Sequence, residues 1–252
     1  MTAATTPTSP TIGPELRGAR RYVTLWRRFL NERDDPDPFY SALADLAVAD
    51  LDRRHGVAGQ RILDLGAGAG WYSDAFRRAG AEVVSIELDA DELMARGRAT
   101  DGAVRADATR IPAASDSFDG VFCSNLLEHA SDTAGVIDEM ARVMRPGGWG
   151  YLSWTNWYSP WGGHEMTPYH FLGPERGPKL YEQRNGPPRK NRYGEGLFAV
   201  HIGPTLKLVR AHHGLEVERV EPRYWPWARA VTSVPGLREL VTWNCLIRLR
   251  AR

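Results

Sequence analysis

A chain of 252 residues is one large domain, or one domain with an insertion, and not two full domains. Hydrophobic residues make up 42% and charged residues 25%, which excludes wholesale disorder and fibrous structure. The net charge of +1 lacks the basic excess of a phosphate-neutralising nucleic-acid binder, so no nucleic-acid partner is expected.

No run of about 18 apolar residues is present, so no membrane-spanning helix is expected. The opening MTAATTPTSPTIGP has no basic start followed by an apolar core, so it does not read as a secretory signal. Two cysteines cannot form a disulfide scaffold, and the expected location is the cytoplasm.

Residues 1–13 are rich in Thr, Ala, Pro and Ser and read as a tail. From Glu15 to Arg33 the chain is basic and amphipathic, with Tyr22, Leu25, Trp26, Phe29 and Leu30 at helical spacing. This segment reads as a helix lying on the domain, as a flap over a ligand, or as a surface resting on a membrane. The next helix starts near Pro38 with Asp37 as its cap, and Phe39, Leu43, Leu46, Ala47 and Leu51 line one face.

A buried strand, 61–65, runs straight into Gly66-Ala67-Gly68-Ala69-Gly70, then a helix from Trp71 to Ala79 that stops at Gly80. A second strand, Glu82 to Ile86, ends at Glu87. A short helix follows over 91–98, then a strand from Ala103 that ends at Asp107. Phe118–Ser124 reads as the fourth strand, Ser131 as the cap of the next helix, and Trp149–Trp154 as the fifth strand. Alternating strands and helices argue for a mostly parallel sheet covered on both faces.

Between 160 and 204 one third of the residues are Gly or Pro, against one sixth in the whole chain, which reads as an insertion of loops and short turns. A helix over 204–213, a strand over 215–221, a helix near 236–240 and a strand over 243–249 close the chain. The domain is thus expected over 14–252, with its core over about 36–155, an acceptor-side insertion over about 156–204 and closing strands over 205–252. Cys123 and Cys245 fall on strands with another between them, about 10 Å apart at the inter-strand spacing and beyond disulfide reach.

Three glycines between a strand and a helix let backbone approach a ligand closely, beside free N–H groups of the helix start. Two details separate this loop from a dinucleotide fingerprint. Trp71 stands where the third glycine of that fingerprint would be, and Asp64 sits two residues before the first glycine, where it would repel a pyrophosphate. A sulfonium and an ammonium group, as in S-adenosylmethionine, would be attracted instead. Glu87 is placed to accept from a ribose diol, and Asp107 from an adenine amino group. Single acids at strand ends also serve as solvated or capping groups.

The segments RILDLGAGAGWYS, VVSIELD, RADATRIPAASDSFDGVFCSNLLEHA and RVMRPGG resemble a class I S-adenosylmethionine-dependent methyltransferase over about residues 60–154. The resemblance implies a Rossmann-like α/β fold with seven strands in the order 3-2-1-4-5-7-6, the last antiparallel. It implies that Asp64, Gly66, Ala67, Gly68 and Gly70 surround the methionine part of the cofactor and that Glu87, with Leu88 beside it, holds the ribose. Asp107 and Ala108 would flank the adenine, Ser124 and Asn125 would lie near the sulfonium, and Tyr72 would close over the cofactor. Trp71 is bulkier than many members of the family carry there and would restrict the pocket. SPWGGHE, PRYWP and TSVP are similar to a group of actinobacterial, mycobacterial-type methyltransferases, which brings no defined substrate.

The acceptor is expected to be a small or lipid-linked molecule. His129, His164 and His170 are the candidate general bases, and each has an alternative as a structural histidine. Trp154, Trp157, Tyr158, Trp161 and Tyr169 offer an apolar wall or a small core of the insertion itself. Arg189, Lys190, Arg192 and Tyr193 offer a site for an acidic group, or a solvated loop. His164 and His170 are six apart with Pro168 between them, so no metal is expected. The alternative functions are an NAD(P)-dependent oxidoreductase and a non-catalytic S-adenosylmethionine-binding protein.

Overall fold

The computed structural model describes residues 12–97 and 100–252. Of the expected tail, residues 1–11 lie outside the described residues. The strands are β1 (Arg61–Leu65), β2 (Glu82–Glu87), β3 (Ala103–Arg105), β4 (Phe118–Ser124), β5 (Met144–Thr155), β6 (Leu215–Pro222) and β7 (Asn244–Ala251). They take the order β3-β2-β1-β4-β5-β7-β6, and β7 runs antiparallel to β5 and β6, as the resemblance implied. The helices are α1 (Arg20–Leu30), α2 (Asp37–His55), α3 (Trp71–Arg78), α4 (Ala90–Leu93), α5 (Thr133–Val143), α6 (Gly177–Asn185), α7 (Ile202–Ala211) and α8 (Leu237–Val241). No described helix is long and apolar enough to cross a membrane. The chain divides after Arg105 into two compact units.

In the first unit β1 is buried throughout its last four residues, which is why it reads as a continuous apolar run rather than an alternating one. It pairs in parallel with β2, from Arg61 opposite Glu82 to Leu65 opposite Ile86. α2 buries Ala42, Leu43, Ala44, Val48 and Leu51, and Gly56 closes it in the left-handed conformation. Asp37 does not cap this helix. It is the first helical residue, and its carboxylate instead accepts from the Trp71 indole N–H at 2.7 Å. α4 is shorter than expected, starting from Asp89, whose side chain accepts from the Asp91 N–H; Arg98 lies outside the described residues.

In the second unit β4 and β5 pair in parallel. Gly120 of β4 has to be glycine, because a Cβ there would stand 2.2 Å from the Trp149 ring. Cys123 lies opposite Leu152 of β5, while Cys245 lies opposite Trp154 on its other side, and both are free thiols in the core. The cap of α5 is Asp132, whose side chain accepts from the Gly135 N–H, and not Ser131. The 160–204 insertion is more regular than its Gly and Pro content suggested. It holds two 3-10 turns (His164–Met166 and Tyr169–Leu172) and the nine-residue α6, with a proline in its first turn. Trp157, Met166 and Leu197 form a small core under it, with Tyr158, Tyr181 and Tyr193 packed around them.

Removing the true cap should cost about 0.5–2 kcal/mol. Asp132→Ala is therefore expected to lower the melting temperature by a few degrees, at roughly 2–4 °C per kcal/mol for a chain of this size, whereas Ser131→Ala leaves it unchanged; equal melting curves for the two would refute the cap.

Candidate active site

The β1–α3 turn is built from backbone. Gly66, Gly68 and Gly70 have φ of 75, 50 and 81°, a region that favours glycine. The Gly66 and Ala67 N–H groups both donate to the Ile86 carbonyl, at 2.8 and 2.9 Å. A Cβ on Gly70 would stand 2.0 Å from the Thr100 hydroxyl, whereas one on Gly68 would meet nothing within 4 Å. Glu87, at the end of β2, accepts from the Gly68 N–H at 3.0 Å with one oxygen, and from Leu88 and Asp89 N–H groups at 2.8 and 3.0 Å with the other. The carboxylate thus holds both turns at once.

Asp64 is 1% exposed. The Ser73 hydroxyl of α3 donates to it at 2.5 Å and lies 2.7 Å from the Ser85 hydroxyl of β2. Burial pushes the Asp64 carboxyl up from 3.8 to about 6, with Ser73 and Arg77 opposing. Trp71 stacks on Tyr40 at 4.6 Å and bonds to Asp37, with the Arg96 guanidinium 5.5 Å from its ring. Its bulk is therefore taken up by α2. Tyr72 is half-buried in the first turn of α3.

In the second unit Asp107 is exposed, and its carboxylate accepts from the Thr109 N–H and hydroxyl, both at 2.8 Å; Ala108 beside it is buried. Ser124 and Asn125 end β4, Asn125 with a φ of 56°. They are tied down by Arg223, which lies in the PRYWP segment, and by Asn244, which the sequence reading did not name. The Arg223 guanidinium donates to the Ser124 hydroxyl at 2.8 Å, and the Asn244 amide donates to the Asn125 side-chain oxygen at 2.8 Å.

The same unit brings His129 and His164 together, with ring centroids 5.2 Å apart. His129 Nδ1 bonds the Gly196 carbonyl at 2.7 Å. A carbonyl only accepts, so Nδ1 carries the proton and Nε2 of the neutral ring is left basic. His164 has the opposite polarity. Its Nδ1 faces the Asn191 amide nitrogen, a donor, at 3.3 Å, so its proton sits on Nε2, which is buried with no partner. Burial, helped by His129, pushes the His164 pKa down to about 4. His164 also holds a φ of 48°, unusual for a residue with a Cβ.

Beneath this pair lies Glu128, a residue the sequence reading passed over. It is 2% exposed, one oxygen accepts from the Thr155 N–H at 2.9 Å, and the other has no partner. Burial raises its pKa while the neighbouring His129 opposes the rise. His170 is unlike the other two. It is fully buried against Trp157 and Gly163, with Nε2 on the Ser159 carbonyl at 3.0 Å and Nδ1 buried without a partner. Glu165 accepts from the backbone of Arg189 and Lys190, and Arg192 is paired with Glu182 and Glu195, so Arg192 is not a free cation for an acidic acceptor. Trp154 and Trp157 belong to the core, while Trp161 and Trp225 both pack edge-on to Trp243, at 4.9 and 4.7 Å.

Residues 63–152 match the family described as a methyltransferase domain. An uncharacterised methyltransferase of Mycolicibacterium vanbaalenii is 40% identical over 241 residues, spanning 91% of this chain and 94% of that protein. The chain belongs to the methyltransferases. Another uncharacterised methyltransferase, of Mycobacterium avium, is 42% identical over 91% of this chain and 94% of its own length. The crystal structure of an S-adenosylmethionine-dependent methyltransferase from Mesorhizobium loti superposes with a TM-score of 0.56 at 25% identity, covering 82% of this chain and 99% of that one. The methyltransferase uses S-adenosylmethionine, and the dinucleotide alternative falls away.

The residues of the first unit fit that cofactor. Open space at Gly68 and a start of α3 with no side-chain cap give its backbone room and donors. Asp64 and Glu87 supply negative charge suited to a sulfonium and an ammonium and hostile to a pyrophosphate.

Gly70→Ala should clash with Thr100, lowering both the melting temperature and the affinity for S-adenosylmethionine; a variant equal to wild type in both would contradict the close approach. Asp64 gives a second expectation with a definite sign. An acid whose folded pKa is raised stabilises the fold fully below its unfolded value, and that contribution is lost as pH rises through the folded value. The melting temperature of Asp64→Asn relative to wild type should therefore become more favourable as pH rises from about 3.8 to about 6, and a difference that stays flat over this window would contradict the burial of an ionisable group.

Proposed function

We propose that this methyltransferase acts on a hydroxyl group of a small-molecule or glycolipid-like acceptor. The observation that carries the reading is the opposite hydrogen-bond polarity of His129 and His164. A hydroxyl both donates and accepts. A hydroxyl that uncovered the buried His164 Nε2 on binding would give its proton to His129 Nε2 and receive a hydrogen bond from the His164 N–H. An amine in its protonated form or a thioether meets only one half of the arrangement.

The chain's residues would divide the work as follows. Asp64, Gly66, Ala67, Gly68, Gly70, Tyr72, Glu87 and Leu88 bind the cofactor's methionine and ribose, and Asp107, Ala108, Ser124 and Asn125 are assigned to the same cofactor through the family resemblance. Bound, S-adenosylmethionine supplies an electrophilic methyl group on sulfur. His129 draws the proton from the acceptor oxygen, and the Glu128 carboxylate steadies the resulting imidazolium. His164, neutral above about pH 4, orients the oxygen rather than taking its proton. The half-buried Trp161, Trp225 and Trp243 group supports an acceptor with apolar surface. Much of the acceleration comes from positioning, and the base adds about 10²–10⁴-fold.

Transfer of labelled methyl from S-adenosylmethionine to a panel of hydroxyl and amine acceptors tests this. Hydroxyl compounds should be labelled. With the acceptor so found, His129→Ala should lower kcat by about 10²–10⁴-fold with the KM for S-adenosylmethionine unchanged. Labelling confined to amines, or a His129→Ala variant with undiminished kcat, would overturn the reading.

A further inference from the structure

α1 is held by Glu15, whose carbonyl accepts from the Thr24 hydroxyl at 3.0 Å and whose carboxylate pairs with Arg28 at 3.4 Å, and by α2. Phe29 packs on Phe39 of α2 at 5.5 Å between centroids, and the Arg28 guanidinium donates to the Pro38 carbonyl at 3.1 Å. No residue of the helix is buried. Beside this contact, with the Trp26 ring 5.8 Å from that of Phe29, Val23, Trp26 and Leu30 are 55, 50 and 67% exposed. Spaced three and four residues apart, they form one stripe along the helix. Arg20 and Arg27, both exposed, flank the stripe on one side.

The charge of this segment is far from that of the whole chain. Between residues 17 and 30 there are five arginines and no acid, in a protein whose net charge is only +1. We propose that α1 docks on an anionic lipid surface, its apolar stripe entering the headgroup boundary and its arginines pairing with lipid phosphates. The exposed Arg20 and Arg27, beside an apolar stripe carrying a tryptophan, complement that surface, while Arg28 is already paired with Glu15. A second copy of the chain would set this basic helix against another of the same sign. The β6–β7 connection also exposes apolar residues, Trp227, Leu237 and Leu240, but Arg229, Arg238 and Glu239 give it mixed charge, so nothing there selects an occupant. The proposal is independent of the acceptor's identity.

Co-sedimentation of the full chain with vesicles of phosphatidylcholine, alone or mixed with phosphatidylglycerol, tests it. Binding is expected to the mixed vesicles at low salt and to weaken as salt rises. Arg20→Gln/Arg27→Gln, which removes only exposed charge, should partition roughly 30-fold less into mixed vesicles, from about 1 kcal/mol for each arginine near the surface. Val23→Gln/Trp26→Gln/Leu30→Gln should lose at least about tenfold, with a melting temperature equal to wild type. Wild-type protein that stays in the supernatant with mixed vesicles at low salt would overturn the proposal, as would equal binding to both vesicle types by wild type and the arginine variant. A dimer in size-exclusion chromatography that the triple variant abolishes, without vesicle binding, would assign the face to a second copy instead.

Discussion

One carboxylate, that of Glu87, has to satisfy three backbone N–H groups from two separate turns, and the architecture of the first unit follows from this. Its bond to Gly68 fixes how far the β1–α3 turn stands from the end of β2. Its bonds to Leu88 and Asp89 fix where the chain goes after β2. Only a turn of glycines can meet that constraint, because the backbone passes through the left-handed region at residues 66, 68 and 70. Asp64, Ser73 and Ser85 lock the strand and helix on the interior side. The outcome is a helix start facing two negative side chains, an environment that favours a cationic nucleoside and disfavours a phosphorylated one.

The second unit also buries polar atoms without partners. Leaving one unsatisfied costs about 1–3 kcal/mol. Glu128 Oε2 and His164 Nε2 are both in this condition, and both sit beside His129. His164 also holds a φ of 48°, a region that costs a residue with a Cβ about 1–3 kcal/mol.

β1 and β4 were legible because they are short apolar runs ended by turn residues, and their limits coincide with the sequence reading, whereas β5 starts at Met144, before the Pro-Gly-Gly that read as a helix stop. The helix caps were less so. Ser131 and Asp132 are adjacent residues of suitable type, and only the path of the backbone selects between them, whereas α2 starts at Asp37 itself, after Pro36 and with no side-chain cap. α6 was hidden because Gly and Pro, read locally as breakers, here open a helix at its first turn. Arg223 and Asn244 act on Ser124 and Asn125 from about a hundred residues away, a distance at which no periodicity carries information. His170 shows the reverse case, a reactive residue type beside candidate partners in sequence that the fold buries completely.

The electrostatic account of the glycine turn is tested most directly by titrating the purified protein, in one buffer, with S-adenosylmethionine and with NADH. Saturable binding of S-adenosylmethionine with no heat or fluorescence change from NADH is the predicted result. Saturable NADH binding, or S-adenosylmethionine binding no stronger than that of NADH, would contradict it.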